Sequence, residues 1–166
     1  MERLRRYLDI PRWQVFGGSW GSTLALLYAQ SHPDRVSEIV LRGVFLMRQS
    51  EVDWFYRHGA NRLFPEAWQE FIDLIPPDEQ DDLVAAYYRR LTSDDPETMR
   101  EAAAAWSRWE RSTVTLIPEP QPRQGIGADR FVVAIARLEC HYFAHGGFRE
   151  HDDQLLAKID RIRHLP

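Results

Sequence analysis

Gly17-Gly18-Ser19-Trp20-Gly21 is a G-x-S-x-G string set between an apolar run, Trp13-Gln14-Val15-Phe16, and a helical run from Ser22 to Gln30. Strand, sharp turn and helix in that order read as a nucleophile elbow, which holds a serine in strained backbone and projects its hydroxyl clear of the sheet. The chemistry is acyl transfer with Ser19 as the attacking oxygen. Glycines are expected on both sides because chain and helix approach closely there. The bare string also arises by chance in glycine-rich loops, so the weight rests on the flanking elements.

A serine hydroxyl is a weak nucleophile and needs a base within hydrogen-bond reach, itself oriented by a carboxylate. None of the six histidines is well placed for this. His32 lies thirteen residues beyond Ser19, roughly 20 Å along a helix rising about 1.5 Å per residue. His58, His141, His145 and His151 fall in a later helical region, and His164 stands near the last residue, Pro166. His141 and His145 are one helical step apart, a spacing that can put two imidazoles on one metal. The intervening Tyr142-Phe143-Ala144 lacks the glutamate that a zinc-protease helix uses as base. No cofactor or metal is expected, since this chemistry draws activation and charge stabilisation from protein groups.

Two carboxylates carry more information. Glu110 follows Trp106 by four residues and Glu139 precedes Phe143 by four, so each shares a helix face with an aromatic ring. Converging beside aromatic faces, two anions would hold a small, partly apolar cation. Spacing alone favours the plainer alternative, carboxylates facing water or paired with Arg108, Arg111 or Arg137.

These groups need a scaffold, and the chain supplies enough material for one well-buried domain: 166 residues, 44% hydrophobic and 28% charged. A net charge of -4 with no long basic run argues against nucleic acid or an anionic membrane surface as partner. No apolar stretch approaches a membrane span, and no secretory leader is evident. A single cysteine, Cys140, excludes an internal disulfide and fits a reducing compartment, so the expected location is cytoplasmic.

The pattern predicts an α/β fold. Residues 1–44 read as helix 2–8, strand 12–16, helix 20–31 ended by His32-Pro33, and a β-branched strand 37–42. Residues 45–150 read as a mostly helical domain rich in aromatics, suited to core packing or to lining an apolar pocket. Pro65 and Pro96 stand at expected first helical positions, with Asp95 as an N-cap. Helices are predicted over 99–114 and 129–145, the latter stopped by Gly146-Gly147, with an exposed loop at Pro118 to Gly125 between them. Residues 151–166 return to the core with a short helix near 152–158. Two parallel strands do not make a stable sheet alone, so the chain reads as incomplete and prone to association through its strand edges.

From Gly17 through Leu26, with His32-Pro33 and Leu41-Arg42-Gly43-Val44-Phe45, the sequence resembles the prolyl aminopeptidases (proline iminopeptidases) of the α/β-hydrolase superfamily. The resemblance continues through Trp54-Phe55-Tyr56, Phe64-Pro65-Glu66, Trp106-Ser107-Arg108-Trp109-Glu110, Ala136 to Phe143 and Asp153-Gln154-Leu155-Leu156. It implies a partial α/β-hydrolase core with a helical cap, and a serine peptidase that releases N-terminal proline from peptides. Carried over residue by residue, Ser19 is the nucleophile and the Trp20 backbone N–H one half of the oxyanion hole. Glu110 and Glu139 match carboxylates that bind the substrate amine. Phe45 and Phe143 match residues around the pyrrolidine ring, and Phe55 stands where relatives carry tyrosine. The family's upstream oxyanion loop and downstream Asp and His have no counterpart here, so the chain alone is expected to be inactive. The competing readings are another lidded hydrolase, acting on esters, epoxides or haloalkanes, and a degenerate non-catalytic fragment.

Overall fold

The computed structural model describes residues 1–114 and 128–166, so the loop expected at Pro118 to Gly125 lies outside the described residues. The elements run α1 (Glu2–Tyr7), β1 (Trp13–Ser19), α2 (Trp20–Ser31), β2 (Val36–Val44), α3 (Gln49–Tyr56), α4 (Pro65–Ile72), α5 (Leu83–Leu91), α6 (Pro96–Val114), α7 (Ala128–Ala144) and α8 (Gln154–Ala157). They form two compact units, the first Met1–Glu51 with Arg149–Pro166, the second Val52–Phe148.

In the first unit β1 and β2 pair in parallel, joined by α2 as a crossover. The strands run longer than the sequence predicts. Gly17 and Gly18 read as the start of a turn, yet they still pair with Leu41 and Arg42, which carries β1 to Ser19. The register shifts before the Ser19 to Val44 pair, leaving Gly43 as an extra residue at φ 52°, a conformation glycine adopts at little cost. Pro33 opens a 3-10 turn directly after α2, as a proline that cannot continue the helix should.

One sheet face packs Val15 and Val36 against Ala25, Leu26 and Ala29 of α2, and Leu155 and Ile162 join this core. The returning segment is tied by polar bonds as well: Gln30 Nε2 donates to the Leu155 carbonyl at 2.7 Å and the Ile39 N–H to the Pro166 carbonyl at 3.0 Å. At the start of the chain, Glu2 accepts from Arg5 at 2.8 Å and from the Tyr28 hydroxyl at 2.6 Å, and these bonds hold its carboxyl down at about 2. Phe16, Val40 and Val44 remain exposed.

The second unit is helical among its described residues and is built on aromatic stacking. Phe71 lies on Tyr87 at 4.3 Å and on Trp109 at 5.6 Å, both stacked. Helix α6 buries Ala102, Ala103 and Ala105 beside Trp106 and Trp109, so small residues let neighbouring helices close in around two large rings. Asp95 caps α6 by accepting the N–H groups of Glu97 and Thr98. After α7, Gly146 and Gly147 take φ 57° and 64° and stop the helix.

Candidate active site

Ser19 ends β1 and stands at the N-cap of α2 with φ 52° and ψ -126°, a region that L-residues rarely enter. An N-cap serine ordinarily turns its hydroxyl onto the helix; here Ser19 makes no capping bond, and the residue is exposed. The strain has a structural cause. A Cβ at Gly17 would lie 2.2 Å from the Gly21 carbonyl oxygen, so strand and helix cross with room only for glycine. At Gly21 itself an added Cβ meets nothing within 4 Å, so the close approach requires glycine at position 17 and not, by packing, at position 21. Trp20 is the first residue of α2, and the positive end of the helix lies at the serine, where negative charge is stabilised. His32 caps the far end of the same helix, with its ring against Tyr28 at 5.2 Å.

Phe45 follows β2 and is fixed to the elbow from both sides of its backbone. Its N–H donates to Ser22 Oγ at 2.9 Å, and its carbonyl accepts from Thr23 Oγ1 at 2.6 Å. The first unit thus gathers Ser19, Trp20 and Phe45.

In the second unit, Glu110 on α6 and Glu139 on α7 are both part-buried. The alternative of arginine pairing does not hold for Arg108, which reaches Glu70 at 3.7 Å, or for Arg137, which contacts the Met99 sulfur at 3.8 Å. Glu110 instead accepts the Tyr56 hydroxyl, and Glu139 accepts the Trp106 indole N–H at 3.2 Å. Burial, then the nearby Glu139 charge, push the Glu110 carboxyl up to about 7 against the opposing pull of Tyr56. Burial also raises Glu139, opposed by the Trp106 bond. The Tyr56 phenol is held well above its ordinary value by burial and by Glu110, which keeps its proton in place for donation.

Aromatic rings surround this pair. Phe143 lies 5.5 Å from Tyr56 and 6.1 Å from Trp106, centroid to centroid. Phe55 packs on Trp109 at 5.8 Å and against Tyr56 at 5.2 Å. Position 55 carries no hydroxyl, and the one that reaches Glu110 comes from the next residue, Tyr56, which was not among the expected site residues although the run Trp54-Phe55-Tyr56 was the available signal. Next to Glu139, the buried Cys140 thiol points to the Val84 carbonyl, and burial raises it away from thiolate reactivity. His141 Nδ1 meets the Tyr88 hydroxyl at 3.2 Å and His145 Nδ1 the His141 carbonyl at 2.7 Å. Among the described residues no three metal-binding side chains cluster, and no helix is long and apolar enough to cross a membrane.

The chain is similar to a probable proline iminopeptidase of Leptolyngbya boryana, 54% identical over 166 residues that take in 100% of this chain and 52% of the relative. A proline iminopeptidase of Arabidopsis thaliana is 53% identical over 99% of this chain and 44% of its own length. One from Neisseria gonorrhoeae is 45% identical over 100% of the chain and 53% of its own length. The chain therefore spans about half the length of the curated relatives it matches. The family model for the alpha/beta hydrolase fold matches residues 1–146. That match agrees with a partial core built on a parallel strand pair and a second unit that is mostly helical among its described residues, and the chain belongs to the α/β-hydrolase fold family.

Proposed function

We propose that this chain carries the nucleophile and the amine-recognition groups of a serine aminopeptidase that releases N-terminal proline from peptides. Ser19 attacks the proline carbonyl as its proton passes to a base, the Trp20 N–H receives the developing oxyanion, and the tetrahedral adduct collapses by expelling the leaving peptide, whose amine takes up that proton, to give a prolyl-serine ester that water then cleaves. The base and its orienting carboxylate belong, on this reading, to the half of the relatives' length that the chain does not span.

The observation that supports this reading is the paired setting of Glu110 and Glu139, each part-buried and each bonded to the polar hydrogen of a different aromatic ring. An ester, epoxide or haloalkane gains nothing from two anions. An N-terminal proline is a compact ring bearing a protonated secondary amine with two N–H donors. Two carboxylates match those donors, and Phe45, Phe55 and Phe143 supply apolar surface for the ring.

The test is a chimera in which this chain replaces its counterpart in the Leptolyngbya boryana relative, assayed with proline p-nitroanilide. Ser19→Ala should abolish release, and Glu110→Gln or Glu139→Gln should lower kcat/KM by about 100-fold, the cost of leaving a charged donor without its partner. Unchanged kcat/KM in both glutamine variants would sink the assignment. The 166-residue chain alone is expected to release no proline in a Ser19-dependent manner.

A further inference from the structure

The peptide group between Ser19 and Trp20 has two hydrogen-bonding ends. Its N–H is the proposed oxyanion donor; its carbonyl, on the other side of the same rigid plane, accepts the Ser22 hydroxyl at 2.6 Å. Fixing the carbonyl fixes the N–H, because the group is planar and the two bonds point in opposite directions. Ser22 is fully buried, so bulk water does not compete for its hydroxyl. Its oxygen accepts the Phe45 N–H at 2.9 Å. The Phe45 carbonyl, 3.4 Å from Ser22 Oγ, is served by Thr23 at 2.6 Å, which leaves the single Ser22 proton to Ser19.

We propose that Ser22 is a positioning residue for the oxyanion hole, aiming the Trp20 N–H by holding the Ser19 carbonyl and linking that aim to the backbone of Phe45. The proposal rests on the reading of Ser19 as nucleophile and of Trp20 as oxyanion donor. The chain Phe45 N–H to Ser22 O–H to Ser19 carbonyl polarises the shared peptide and strengthens the Trp20 N–H as a donor. It also preorganises that donor before substrate arrives, the condition under which an oxyanion hole works. Thr23 supports this arrangement by occupying the Phe45 carbonyl, the other acceptor within reach of Ser22 Oγ.

In the chimeric enzyme, Ser22→Ala should lower kcat by about tenfold or more while KM stays within about twofold. Affinity for pyrrolidine-2-boronic acid, whose tetrahedral boron occupies the oxyanion hole, should fall by the same factor, whereas affinity for pyrrolidine, which has no such group, should hold. Ser22→Thr should restore both readings. In the 166-residue chain, Ser22→Ala should move the Trp20 amide resonance in a nitrogen–proton correlation spectrum, a reading that stands even if proline proves not to be the substrate. An unmoved Trp20 resonance, or unchanged boronate affinity in a folded Ser22→Ala enzyme, overturns the proposal.

Discussion

The rings of Tyr56 and Trp106 stack with centroids 4.7 Å apart and planes 19° from parallel, and each hands its polar hydrogen to a different glutamate, Tyr56 to Glu110 and Trp106 to Glu139. One aromatic pair thus holds two like charges in place. Without a cation the arrangement is costly, since burial and mutual repulsion both disfavour ionisation. A cationic ligand relieves both costs at once.

The cost should appear as a pH dependence of stability. The folded Glu110 value of about 7 lies above the ordinary 4.5, so between those values the fold keeps a proton that the unfolded chain has released. Stability therefore falls as pH rises through this window and stays lower above it. Glu110→Gln removes the titration, flattening the profile and raising stability above pH 7 by an amount on the order of 2 kcal/mol. Thermal melts of both proteins from pH 4 to 8 test this. Parallel profiles would show that Glu110 ionises normally.

Tyr56→Phe isolates the hydroxyl from the stack. The ring stays on Trp106, but Glu110 loses the bond that lowers its pKa, so its value should rise further and stability should drop by about 1–3 kcal/mol at neutral pH. In the chimeric enzyme, the acid limb of kcat/KM, set on the proposed reading by the carboxylate that binds the amine, should move to higher pH. An unmoved limb would mean that Tyr56 does not tune Glu110.

The two glycines of the motif should behave oppositely. Gly17→Ala drives a Cβ into the Gly21 backbone at 2.2 Å, where neither strand nor helix can yield cheaply, and should cost about 3 kcal/mol or more. Gly21→Ala enters open space at the start of α2 and should be neutral in the 166-residue chain, or stabilising by up to about 1 kcal/mol. Chemical denaturation of the two variants tests the asymmetry; equal losses would contradict the geometry of the turn.

Much of the scaffold was legible because its signals are local. Helix α2 runs from Trp20 to Ser31 as its bounding motif and proline require, and Asp95 caps α6 as its side chain and the following proline suggest. Strand ends were missed because Gly17 and Gly18 are turn residues by composition and ladder residues by register, and register depends on the distant Leu41 and Arg42. The glutamates were visible through their spacing from Trp106 and Phe143, but not what they bond. The contact of Tyr56 with Glu110 spans 54 positions and that of Trp106 with Glu139 spans 33, and no periodicity reports such pairs. Gly21 carried the motif's expectation, yet the packing that would require it is not found around it.

Backbone strain at Ser19 should be measurable as stability gained when it is released. Its φ of 52° with ψ of -126° is open to glycine and costly for any residue with a Cβ. Ser19→Gly should therefore unfold at higher denaturant than Ser19→Ala, by roughly 1 kcal/mol after the greater entropy of the unfolded glycine chain is counted. Both variants lose the hydroxyl and make no capping bond, so the comparison isolates the Cβ. Calorimetry of the pair beside the wild-type chain reads it directly. Equal stability of the two would mean that the turn stores no strain; a more stable glycine variant would mean that the fold gives up stability at Ser19, the residue proposed as the nucleophile.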